Sequence, residues 1–110
     1  MGNREKIRPI FSSRADDPAL AEAIDAFVIG LAERIDHLQD AEREAGLVRL
    51  AAFARDLAAD AEALGYEALA RVAQVLEAAA GEEKSDEAHE NLVKLTEIAY
   101  RIRMGHRGAL

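Results

Sequence analysis

Apolar side chains recur along this chain in steps of three and four, the spacing that gathers them on one side of an α-helix. The first run is Leu20, Ile24, Phe27, Val28, Leu31, Ile35 and Leu38. A second follows at Leu47, Leu50, Ala54, Leu57, Ala61 and Leu64. Leu69, Val72, Ala73 and Leu76 form a third, and Leu92, Leu95, Ala99 and Ile102 a fourth. Nothing alternates with the two-residue period of a strand.

Helix signals bound these runs. Asp17-Pro18 supplies a capping acid and a proline suited to the first turn. "EAG" at 44–46 and "LGY" at 64–66 are glycine stops. "AAAGEEKS" at 78–85 adds a glycine stop, an acidic link and Ser85 as the next cap. The pattern predicts an all-α, antiparallel up-down-up-down four-helix bundle, with helices at about 17–44, 46–64, 66–80 and 85–104. Residues 17–104 form one domain, 1–16 an extended N-terminal segment and 105–110 a C-terminal tail. Pro9, Ile10 and Phe11 are expected to lie against one end of the bundle. Gly30, inside the first helix, costs about 1 kcal/mol relative to alanine, and close helix packing would explain it.

Composition narrows the chemistry. The 110 residues include no cysteine, which excludes disulfides, zinc–thiolate sites and a cysteine nucleophile. No apolar run approaches the roughly 20 residues that span a bilayer. "MGNREKIRPIF" is too short and polar for a signal peptide, so a cytoplasmic location is expected. The net charge of −7 is uneven: residues 17–100 hold 19 acids and 7 bases, while the two ends hold 2 acids and 7 bases. An acidic body repels nucleic acid and anionic membrane. The basic ending "RIRMGHRGAL" suits a helix C-terminus, where cations complement the dipole.

One helix face is unusual. Taking 100° per residue, Arg55 in "FARDLAADAEALG" points about 130° from the core stripe of the second helix. Its neighbours are Ala51, Ala52, Ala58 and Ala59, with Val48 and Glu62 two turns off. The result is a shallow methyl surface carrying one long cation. Alanine's helix propensity alone could account for it. Ile29, on the first helix near Glu22, Glu33 and Asp36, also sits opposite its own core stripe.

These segments resemble a histidine-containing phosphotransfer (HPt) domain, the four-helix relay module of bacterial two-component signalling. That family reads "DDPxLxxxxxxFVxxLxxRIxxLxxA", "LxxLAHxLKGxAxxxG" and "xxLxxxAxxLExA". This chain carries "DDPALAEAIDAFVIGLAERIDHLQDA", "LVRLAAFARDLAADAEALG" and "YEALARVAQVLEAA". The likeness runs without gaps from about residue 8 to residue 80. It places Arg55 where the family has its phosphoaccepting histidine, and Ala58 where the family has the lysine that steadies the phosphoryl group. Ala59 takes the place of the glycine that follows, and Asp60 that of the next small residue.

The substitution removes the relay chemistry at that position. A phosphoacceptor needs a nitrogen lone pair near neutral pH, which imidazole supplies. Guanidinium, with a pKa above about 12, has donors only. His37, His89 and His106 lie near helix ends or in the tail, without a small-residue surface or a lysine one turn on. Glu-x-x-His pairs for a di-metal bundle are missing, so neither metal nor cofactor is expected. Ser12, Ser13, Ser85 and Thr96 read as caps or surface residues.

The resemblance therefore implies a non-relaying adaptor or decoy that docks a response-regulator receiver domain or a histidine kinase. Arg55, Ala51, Ala52, Ala58, Ala59, Glu62 and Ile29 would supply the partner-binding surface, on a monomer rather than a dimer. Two alternatives stand beside it. One is a homo-oligomerising bundle that uses the alanine surface, and the other is phosphotransfer through a displaced histidine. Arg55 could also simply lie over Glu62 or Ala59, a pairing worth tenths of a kcal/mol.

Overall fold

A computed structural model describes the chain from Arg8 to Gly108. Four helices pack together: α1 (Ala21–Asp40), α2 (Leu47–Ala63), α3 (Glu67–Gly81) and α4 (Ser85–Gly108). No strand occurs among the described residues. The four apolar runs converge on one core, where Leu31, Leu38, Leu50, Leu57, Leu69, Leu76, Leu95 and Ile102 are fully buried. Ile24, Leu47, Leu64 and Val72 are half-buried at its margin.

The entry to α1 follows its local chemistry. The Asp17 carboxylate accepts the Ala19 N–H at 3.0 Å, and a 3-10 turn at Pro18–Leu20 leads into the helix. At the other end α1 widens into a π turn, Ala41–Ala45, closed by the Gly46 N–H on the Ala41 carbonyl at 3.0 Å. Gly46 alone then separates this turn from α2.

Helix limits differ from the expected ones: the first α-helix spans Ala21–Asp40 rather than 17–44, with 3-10 and π turns at its ends. α3 runs through Gly81, and the left-handed residue is Glu83 at φ +61°. The Lys84 N–H reaches back to the Ala79 carbonyl at 2.9 Å, which satisfies an orphan acceptor at the helix end. Ser85 opens α4 rather than preceding it, because Lys84 already supplies the first helical carbonyl, to Ala88. α4 then continues to Gly108 instead of ending near 104. Tertiary contacts hold this extra turn: Gly105 is buried, and His106 Nε2 lies 2.9 Å from Asp25 of α1. His106 is therefore not in a frayed tail.

Gly30 also departs from expectation. A Cβ there would meet nothing within 4 Å, so close packing does not explain the glycine. Gly30→Ala should stabilise the protein by about 1 kcal/mol, read as a rise in Tm of several degrees.

Cross-helix contacts fix the neighbours. Along α1 and its π turn the partners on α4 descend in number: Asp25 meets His106, Gln39 Nε2 reaches Thr96 at 3.5 Å, and Glu42 meets His89 at 2.9 Å. Towards α2, Arg34 bonds Asp60 at 2.8 Å and the His37 ring lies 6.2 Å from that of Phe53. α2 and α3 make the most extensive interhelical contact. Buried alanines are frequent on both, Ala54, Ala58 and Ala61 on α2 and Ala70, Ala73 and Ala80 on α3, and such small side chains permit close approach of the two helices.

From Arg8 onward the N-terminal segment packs against one end of the bundle, but it is extended only to Ser12. The Ala15 N–H on the Ser12 carbonyl at 3.2 Å and the Asp17 N–H on the Arg14 carbonyl at 3.0 Å turn residues 13–16, while residues 1–7 lie outside the described residues. Ser12, expected at the surface, is buried and donates its hydroxyl to the Leu64 carbonyl. The Ser13 N–H bonds the Gly65 carbonyl at 2.9 Å, and its hydroxyl donates to Glu67 Oε2 at 2.6 Å. That hydroxyl, then Glu67's own backbone and more weakly Arg14 and Arg71, hold the Glu67 carboxyl below the usual carboxylate range. A carboxyl depressed in the folded state contributes fully above its unfolded pKa, and the contribution is lost as pH falls through the lowered value. Ser13→Ala should move the Glu67 midpoint upward in a carboxyl NMR titration.

Candidate functional site

The two flanks of α2 have different neighbours. Phe53 and Asp60 mark the flank that meets α1, through His37 and Arg34. By helical geometry Arg55 lies about 140–160° from both, so it stands on the other flank, bordering α3. Glu62, on the Arg55 side, shares a hollow with Glu67, Ala70, Arg71 and Gln74 of α3.

This placement partly explains the alanines. Ala58 is 5 % exposed and Ala51 half-buried, because α3 covers that side of the helix. Ala58 therefore leaves the set of accessible residues. A lysine at this position, as the family resemblance would have it, would start from a buried Cβ. Val48, Ala52, Arg55, Ala59 and Glu62 remain exposed, with Val48 at 87 %. Among the described residues Arg55 makes no ion pair, so it does not lie in a salt bridge with Glu62.

Ile29 is exposed as expected, at 70 %, but it does not join this face. Arg34 and His37 identify the α2-facing side of α1, and Ile29 lies about 140° and 80° around the helix from them. The α1–α2 seam thus separates Ile29 from Arg55. The seven predicted residues divide into five exposed or half-exposed ones on one flank of α2, one buried alanine and one isoleucine elsewhere.

The three histidines stand away from Arg55, each beside a carboxylate of α1 or its π turn. His37 lies 4.0 Å from Glu33, His89 2.9 Å from Glu42 and His106 2.9 Å from Asp25. None has a lysine one turn on. Among the described residues no three side chains of metal-ligating type are grouped to hold an ion, and no helix is long and apolar enough to cross a membrane.

Sequence reasoning missed Ser12, Ser13 and Arg71. The serines meet partners 52 and 54 positions away, a contact with no local signature. Arg71 enters the neighbourhood of Glu62 only because α3 folds back beside α2. Compared with protein-family models, curated proteins and solved structures, the chain finds no match.

Proposed function

We propose that this chain is an HPt-like signalling domain of a two-component phosphorelay that has lost the relay step and acts as an adaptor or decoy. In this reading the helices form an antiparallel up-down-up-down bundle, a topology favoured by the descending α4 partners along α1. The partner is a receiver domain or histidine kinase in the cytoplasm, docked on α2 where it borders α3.

The observation that carries the proposal is an exposed arginine with no ion-pair partner among the described residues, standing on a floor of small side chains. Ala52 and Ala59 permit close approach, while Val48 offers apolar area. Arg55 supplies a guanidinium that can enter the carboxylate cluster of a receiver's active site and form charge-assisted hydrogen bonds. A divalent cation in that cluster would repel it, so an unphosphorylated, metal-free receiver is the preferred partner.

The experiment is a binding and phosphate-transfer assay against a panel of receiver domains from the same organism. Binding without transfer is the expected outcome. Arg55→Ala should weaken binding by about tenfold, the order of one desolvated charged contact, and Mg²⁺ should weaken it in the parent chain. Unchanged affinity in Arg55→Ala would remove this reading. Transfer would point to a displaced histidine, and self-association without receiver binding to the oligomerising alternative.

A further inference from the structure

The segment from Arg8 to Asp17 is held by a seat that two separate helices leave open. A Cβ at Gly65, after α2, would stand 2.5 Å from Ser12 Oγ, 2.9 Å from the Arg14 nitrogen and 3.0 Å from Ser13 Oγ. A Cβ at Gly105, inside α4, would stand 2.7 Å from the Ile10 carbonyl oxygen and 3.2 Å from the Phe11 ring. Both helices thus lack a side chain where this segment passes.

Polar anchors complete the seat. The Leu64 and Gly65 carbonyls belong to the end of α2, where helical acceptors have no partner within the helix. They take the Ser12 hydroxyl and the Ser13 N–H. At the other side the Ile10 N–H bonds the Arg101 carbonyl at 3.0 Å, and Arg101 Nε returns a hydrogen bond to the Arg8 carbonyl at 2.7 Å.

The core, in contrast, closes without this segment. Every fully buried large side chain lies between Leu31 and Ile102. Ile10 alone of the segment's hydrophobic side chains packs on that core, and Phe11 is 59 % exposed. The anchors sit at the end of the bundle, where water can replace them. Releasing the segment therefore breaks a few hydrogen bonds and uncovers the edges of Tyr66 and Ile24, while the four-helix packing keeps its contacts.

We propose that residues 8–17 form a detachable latch, an intramolecular ligand on the bundle end with an extended half (8–12) and a turned half (13–16), which opens without unfolding the four helices. Opening releases the turn joining α2 to α3 and exposes the hollow lined by Ala21, Ile24, Tyr66 and Gly105. The latch does not depend on the receiver reading, since its contacts and its test involve no partner.

The test is amide hydrogen exchange on the full chain. Local opening predicts that the Ile10 and Ser13 amides exchange about 100-fold or more faster than those of Leu57 and Leu76, which report core opening. Gly105→Ala, favourable to the helix itself, should speed Ile10 and Ser13 by about tenfold more and leave the core amides unchanged. Ser13→Ala, which touches no core residue, should speed Ile10 and Ser13 by about threefold, and because the closed segment contributes to global stability the core amides follow, so the gap between the two groups persists. Exchange of Ile10 and Ser13 at the core rate would overturn the proposal. So would a gap between the two groups of amides that fails to widen in Gly105→Ala.

Discussion

Gly65→Ala is expected to destabilise the protein by about 2–3 kcal/mol, from two separable causes. Gly65 has φ +85°, where an L-residue brings its Cβ against the backbone at about 1–2 kcal/mol. The remainder comes from the collision with residues 12–14, which must shift and lose the hydrogen bonds to the Leu64 and Gly65 carbonyls. Gly46, at φ +86° and ψ −176°, has no atom within 4 Å of a Cβ, so Gly46→Ala should show a backbone cost with no collision, in a region that is almost exclusive to glycine. Urea denaturation of both variants should give a lower midpoint with unchanged slope. A loss at Gly65 below about 2 kcal/mol, within the backbone cost by itself, would mean that the collision with the N-terminal segment adds nothing.

Leu76→Ala should be more damaging, at about 3 kcal/mol within the 2–5 range for such truncations. Leu76 is fully buried in α3, with the buried Ala73, Ala79 and Ala80 one turn away on the same helix. Small neighbours have no long side chains to swing into the space, so the cavity persists and its lining loses dispersion contacts. For a domain of this size the loss corresponds to a fall in Tm of about 12–24 °C. Thermal unfolding followed by circular dichroism measures it. A fall below about 4 °C would mean that the site collapses, contrary to the packing described.

The candidate face illustrates how far a one-dimensional reading reaches. By angle alone Arg55 lies outside the core stripe, and it is exposed. Ala51 and Ala58 lie on the same side of the helix by the same arithmetic, yet α3 covers them. A helical wheel records directions from one axis and contains no neighbour, so it cannot separate solvent from a second helix. For that reason part of the alanine surface that resembled a docking floor is an internal packing surface. Ile29 shows the converse: it is as exposed as expected, but the arrangement of α1 beside α2 turns it away from Arg55.

Helix ends divide in the same way. Asp17 caps the start of α1 because a short carboxylate reaches the N–H two residues on, a matter of adjacent residues. The end of α4 depended on partners 81 and 95 positions away in the chain: Asp25 facing His106, and Ile10 lying over Gly105. No local propensity encodes those contacts.

The sequence by itself determined the number of helices, their apolar stripes, the Asp17 cap and the absence of thiol chemistry. Each depends on the period of the helix, on groups a few bonds apart, or on composition. Only the tertiary structure decided which alanines face α3, where the histidines find carboxylates, and that residues 8–17 rest on Gly65 and Gly105. Those outcomes come from surfaces brought together by burying the stripes, and the two glycines acquire their role only when a distant segment crosses them.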